Sequence, residues 1–401
     1  MHATFAALLQ ASSPPSAAVV QQRIAQHFGV ELKQMDAGGW TLIATHRDHA
    51  WAIRPQARAP GESHQYTHSA LSPHEVTTAE QSSWTLTIAG RINPDAPLHD
   101  LARLLRVLRV AAPDACAVID PDTQAMHGPQ WLDHVVGTQL PPRLDAFYQV
   151  HRIHEDGLIW LHTHGLERLG VPELEMLGVS TQNLEQATRL FRAGVAHLVH
   201  QGVPPHGEPV QLGRGMVVSF IPWNIAHPYL RHHPGGPADR DDAHECHNLV
   251  LVTRGSIEQQ RWVSAVQCVQ NLKGRLQLYL SAYETHRQEA ASRVRWPWLT
   301  VLHGVYRDVP QWDFLAKFSF DHPEGREHLW FEIDDMHAHG ATGTLLQHTG
   351  FRADLSPDTI HELALDQLSA FRVRSPFGTA SADDLPLLMQ RLRHQASISA
   401  D

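Results

Sequence analysis

The chain has 401 residues, 42% of them hydrophobic and 18% charged, with a formal net charge of −10 at pH 7. This length admits two or three domains, and the acidic balance argues against a general nucleic-acid binder with its basic face. No run approaches the roughly 18–20 apolar residues of a membrane span, and no Lys or Arg precedes the short apolar stretch within residues 1–11, so a secretory signal is not expected.

In chain order, residues 1–145 alternate helix and strand patterns. Ala17–Phe28 has helical spacing and stops at Gly29. Trp40–Thr45 and Ala50–Arg54 read as short strands, and the polar segment Pro55–Gln81 as a loop or insertion. Trp84–Ala89 alternates as a half-buried strand, and Leu98–Ala111 carries a leucine stripe opposite an arginine stripe, as an amphipathic helix does. Ala115–Ile119 follows as a buried strand and Ala125–Gly137 as a further helix.

A hairpin is expected from Leu144–Ile153 and Gly157–Thr163 across Glu155-Asp156-Gly157. Its second strand places Leu158, Trp160, His162 and His164 on one face and Ile159, Leu161 and Thr163 on the other, so it reads as buried on both sides. Gly165 breaks it. Val171–Leu177 sets Glu173 and Glu175 against Leu174 and Met176, which predicts one wet or cleft-lining face. Asn183–His200 reads as a helix, Met216–Pro222 as a strand, Asn224–His247 as an irregular loop, Leu249–Thr253 as a strand and Leu276–Val294 as a helix ending before Pro297. Strands at Phe314–Phe320, Glu327–Ile333, Gly340–Gln347, Thr359–Asp366 and Phe371–Val373 form a small twisted sheet or partial barrel, closed by a helix at Asp383–His394. The expected class is therefore α+β: sandwich modules with antiparallel sheets, then a small mostly-β module. The divisions fall at 1–145, 146–305 and 306–401.

The richest potential chemistry lies in Trp160–Met176. His162 and His164, two apart on a strand, point the same way; with Glu173 or Glu175 they could hold zinc and leave a position open. The composition weakens this reading. The chain has 31 His but only three Lys (Lys33, Lys273 and Lys317), as a GC-rich genome would produce. A second set, His244, Cys246 and His247 with Asp239 or Asp241, lacks the helical spacing of zinc proteases, since Asn248 stands where the second histidine belongs. Cys116 reads as a core thiol. Leu212-Gly213-Arg214-Gly215 lacks a phosphate-loop lysine and reads as a turn. The pairs Glu173/Glu175 and Asp334/Asp335 are same-strand neighbours and show no facing across a cleft. Trp296, Trp298, Trp312 and Trp330 cluster late in the chain, where tryptophan serves either a core or a binding surface; the core is the expectation for Trp330 in its alternating strand.

The pieces Ala112-Pro113-Asp114-Ala115, Trp131, Pro141-Pro142, Trp160–Leu166 and Glu173-Leu174-Glu175 resemble the bacterial family labelled domain of unknown function 4026. Glu327–Glu332, Gly343-Thr344-Leu345 and Leu368–Phe371 resemble its C-terminal YegJ-like module (domain of unknown function 2314), with Ala370 and Phe371 in place of its usual Asp and Trp. The resemblance spans roughly residues 85–380 and implies an architecture, not an activity. The strand–glycine–glutamate pattern is also similar to Suppressor-of-fused-like immunity proteins, which bind and neutralise toxins.

With no complete catalytic motif, the leading expectation is a non-enzymatic, cytoplasmic, immunity-like or regulatory binding protein. It would have no cofactor and would bind through Trp160, His162, His164, Glu173, Glu175 and Trp330. A basic protein partner is expected, with no nucleic acid and no membrane; the oligomeric state is left open. The alternative is a metal-dependent hydrolase with zinc on His162, His164 and Glu173.

Overall fold

In the computed structural model the chain divides into two compact units, Met1–Tyr279 and Leu280–Asp401. The structure describes all residues except 37–38, 47–48, 60–65, 68–70, 138–139, 231, 237–238, 241–247, 256–260, 271–275, 324, 351–354 and 399–401.

The first unit opens with β1 (His2–Leu9), α1 (Ala17–Phe28), β2 (Lys33–Asp36), β3 (Trp40–His46), β4 (His49–Ala57), α2 (Pro73–Glu80), β5 (Trp84–Arg91), α3 (Pro97–Ala111), β6 (Ala117–Asp120), β7 (Ala125–His127) and α4 (Pro129–Val136). The strands form one sheet in the order β2-β3-β4-β5-β1-β6-β7. Helix α1 begins at a Ser16 cap and ends at Gly29 in the left-handed region, as its sequence predicts. Two expectations are corrected here. The Pro55–Gln81 segment contains α2, nucleated by a reciprocal Ser72–Glu75 capping box with Pro73 in the first turn. Ala125–Gly137 is split, with strand β7 preceding the short helix α4.

A second sheet follows, built from β8 (Gln149–Glu155), β9 (Leu158–His164), β10 (Leu174–Ser180), β11 (Val210–Gly213), β12 (Met216–Pro222), β13 (Leu249–Arg254) and β14 (Trp262–Ser264), with α5 (Leu184–Gln201), α6 (Trp223–Leu230) and α7 (Val266–Gln270). Its order is β11-β12-β13-β10-β9-β8, with β14 on β13. All pairs are antiparallel except β10 with β13. Hairpin β8–β9 turns through Asp156 and Gly157, both at positive φ, as a two-residue turn between twisted strands requires. The predicted loop after residue 223 begins as α6 despite Pro228.

The two sheets of this unit are joined by a buried ion pair. Arg168 donates twice to Asp120 at 2.7 Å and once to the Phe147 carbonyl at 2.7 Å. Gly165, at φ +105, lies in the same junction. A Cβ there would stand 2.8 Å from Thr123 Cγ2 and 2.9 Å from the Phe147 carbonyl oxygen, so only glycine fits.

The second unit comprises α8 (Ala282–Tyr306), β15 (Asp313–His322), β16 (Gly325–His337), β17 (Gly340–Leu345), β18 (Ile360–Ala364), β19 (Leu368–Ser375), β20 (Gly378–Ser381) and α9 (Leu385–Ile398). Its sheet order is β18-β17-β16-β15-β19-β20. Helix α8 runs through Pro297, against the expected stop. Pro297 is exposed, so the carbonyl left without its amide partner can bond to water. Helix α8 packs on β16 and β19, within the same compact unit as this sheet.

Candidate functional site

Strand β9 is buried from Ile159 to His164, as its two apolar faces predict. One face carries Ile159, Leu161 and Thr163; the other carries Trp160, His162 and His164. Trp160 packs with Leu177, Ile221, Trp223, Ala226, Leu230, Val250 and Val252 in one apolar cluster. Gly235 lies flat on its indole, where a Cβ would meet the ring at 2.9 Å.

His162 and His164 are 2% and 8% exposed. They converge with a third histidine, His151, the cross-strand partner of His162 on β8. Ring centroids lie 5.4 Å apart for His151–His162, 4.5 Å for His151–His164 and 5.1 Å for His162–His164. One ring nitrogen from each can be chosen so that all three lie within 4.8 Å of one another. His151 Nε2 is 3.3 Å from the Thr123 carbonyl oxygen. A carbonyl only accepts, so in this contact Nε2 is the protonated nitrogen of His151. A metal-binding histidine characteristically has its far nitrogen held this way. Zinc held at about 2.0–2.1 Å from tetrahedral nitrogens sets them about 3.4 Å apart. The observed spread of up to 4.8 Å therefore needs a closure of up to about 1.4 Å, within reach of side-chain rotations. Strand β8 is the edge of its sheet and His151 is half-buried, so the cluster is more enclosed on one side than on the other.

The two glutamates do other work. Glu173 precedes β10, and its Oε1 accepts from the amides of Gly165 at 2.7 Å, Leu166 at 2.8 Å and Glu167 at 3.4 Å. It closes the turn after β9. Burial pushes its carboxyl above the usual range, against the opposing pull of Thr163 and these amides. Glu175 lies directly across from His162 but is fully buried, so the expected wet face of this strand is corrected. Arg240 grips it in a fork at 2.9 and 2.6 Å, and Asn248 donates to it at 2.6 Å. The Arg240 guanidinium in turn lies 4.1 Å from the Trp223 ring centroid and 5.3 Å from that of Trp160. A carboxylate held by three donors inside the protein is poorly placed to ligate an ion. Among the described residues the ring nitrogens that converge are those of His151, His162 and His164, with neither glutamate in that group.

Trp330 belongs to the second unit, on the sheet face opposite the buried Leu329, Phe331 and Ile333. It is half-buried, not the core residue expected from its strand. His244, Cys246, His247 and Asp241 lie outside the described residues. Asp239 accepts from the amides of Gly235 and Gly236 and so closes a turn. A cavity of about 290 Å³ opens beside Gly165 and Glu173, lined also by Met1, His2, Asp122, Glu167 and Arg168; the three histidines are not in its lining. Cys116 is partly buried beside the Leu8 carbonyl, and burial raises its thiol pKa, consistent with an inert thiol.

Fold and cluster together define a class: an α+β module whose mixed sheet carries a histidine triplet on an edge hairpin. More narrowly, residues 148–252 match the family model described as protein of unknown function (DUF4026), C-terminal. That span holds His151, His162, His164, Glu173, Glu175 and Arg240. The search of curated proteins and the search of solved structures returned no match. Among the described residues no helix is long and apolar enough to cross a membrane.

Proposed function

We propose that the central sheet binds a zinc ion through His151, His162 and His164 and is the hydrolytic site of a metal-dependent enzyme. The observation that carries this reading is the convergence of three imidazoles from two adjacent strands, one of them oriented by a backbone carbonyl. Three protein ligands and a less enclosed edge are the pattern of catalytic zinc sites, whereas structural sites close all four positions. Zinc bound there would supply a Lewis acid and lower the pKa of a coordinated water. The protein's own part is to hold three rings in place: His151 through Thr123, and His162 and His164 through the buried strand. Arg240 neutralises Glu175 beside them, and Asn248 donates to it.

The test is elemental analysis of the purified full chain, followed by assays with ester and phosphoester substrates. About one equivalent of zinc, lost in His151→Asn and in His162→Ala, with hydrolysis lost alongside, is the expected result. Less than about one-tenth equivalent, with a melting temperature unmoved by chelator, overturns the site. Full zinc loading without hydrolysis of any substrate rejects the enzymatic part alone.

We also infer that the wider likeness to DUF4026 proteins extends beyond the matched span, with β16, β17 and β19 forming the YegJ-like module of a bacterial protein. The free thiols of Cys116 and Cys268 support a cytoplasmic location.

A further inference from the structure

The second unit carries an arrangement of opposite character. Strands β15, β16 and β19 bury Phe314, Ala316, Phe318, Phe320, Leu329, Phe331, Phe371 and Val373 on one face. Helix α8 covers that face, with Trp296 edge-on to Phe318. On the other face Lys317 pairs across the strands with Trp330, and Arg372 lies on the next strand. The Lys317 ammonium is 5.8 Å and the Arg372 guanidinium 4.9 Å from the centroid of the same indole.

Two cations therefore share one aromatic ring. Among the described residues, neither forms an ion pair with a carboxylate, although Glu332 flanks Trp330 on the same strand face, and three other acids of the sheet are engaged elsewhere. Asp313 pairs with Arg374, Asp321 with Arg326, and Asp334 accepts from Thr344. His328 and Ser369 fix the strand beneath. The Ser369 hydroxyl donates to the Lys317 carbonyl, so it must accept from His328 Nδ1. Burial, and then the neighbouring Arg372, lower the pKa of Lys317, as expected for a cation lacking its counter-ion.

We propose that Lys317, Arg372 and Trp330 form a binding site for a carboxylate presented by an acidic segment of a partner protein. The guanidinium fork suits a carboxylate, and Lys317 adds a second charge. Nucleic acid fits less well. The cations already occupy the indole that a base would stack on. A carboxylate binds the cations and does not need the face of the ring. The site is independent of the histidine cluster, so either can fail without the other.

The test is fluorescence anisotropy of a labelled hexaglutamate peptide with the full chain at low salt. Saturable binding is expected. Arg372→Gln and Lys317→Met should each weaken it by about tenfold, the scale of one charge-assisted hydrogen bond. Arg326→Gln removes the same charge from the same sheet and should change the affinity by less than about twofold. If Lys317→Met does not fold, as judged by circular dichroism, Arg372→Gln decides. Absence of saturable binding, equal weakening by Arg326→Gln, or competition by inorganic phosphate or a thymidine oligonucleotide as effective as that of unlabelled peptide would each overturn the proposal.

Discussion

The two sheets that carry the candidate sites treat charge in opposite ways. Around the β8–β13 sheet the buried charges have partners inside the same unit: Glu175 has Arg240 and Asn248, and Arg168 has Asp120 of the neighbouring sheet. Beside them three imidazoles converge, a group suited to a cation. In the β15–β20 sheet the cations Lys317 and Arg372 sit on Trp330 with three acids of the sheet engaged elsewhere, so what is left suits an anion. The lesson is that a site is defined less by the residues it contains than by which of them the fold brings together and what surrounds them. The overall charge of −10 conceals this, because it sums over both.

The largest expected effect tests the internal neutralisation. Glu175→Ala removes the buried carboxylate that Arg240 grips beside Trp223 and should lower stability by about 3–5 kcal/mol in urea unfolding. A loss below about 1 kcal/mol would show that Arg240 is solvated and that the neutral-interior half of the comparison fails.

Acid acts next. Burial holds His127, stacked on Trp131, at a pKa of about 4, against an ordinary 6.5. The unfolded chain therefore takes up a proton before the folded one does. The stability contributed is fully present above pH 6.5 and is lost as pH falls toward 4, by about 3 kcal/mol in total. Unfolding free energies at pH 7 and pH 4.5 should differ less in His127→Phe than in the natural chain. An unchanged pH slope would remove His127 from the account.

The smallest effect belongs to the open sheet. Arg372→Gln should change stability by no more than about 0.5 kcal/mol, because its guanidinium is exposed and supports no buried charge. A loss comparable to that at Glu175 would mean the two sheets do not differ as described.

Much of this was readable in the residues, though unevenly. The alternation in Leu158–His164 and the stop at Gly165 were plain, because a strand buried on both faces carries its own pattern. His151 was also within reach. A two-residue turn at Asp156-Gly157 pairs 155 with 158, and so 151 with 162. Read as the three-residue turn Glu155-Asp156-Gly157, the hairpin does not place His151 opposite His162. Glu175 was out of reach. Its alternation with Leu174 and Met176 looks like a wet face, and nothing local reveals an arginine 65 residues away closing over it. The helix α2 was missed despite its capping box, and α8 was cut short because Pro297 on an exposed face breaks nothing. Trp330 could be assigned to a face, but its two cations come from separate strands, which periodicity cannot join.

The Arg168–Asp120 pair has a further consequence. Residues 148–252 are the span the family model matches, yet the counter-ion of their buried arginine, the carbonyl that orients His151 and the wall against Gly165 all include residues before 148. On the other side, β14 extends the same sheet from beyond 252. The matched span is thus smaller than the structural unit it works in: cut out alone, it would carry a buried guanidinium parted from its carboxylate.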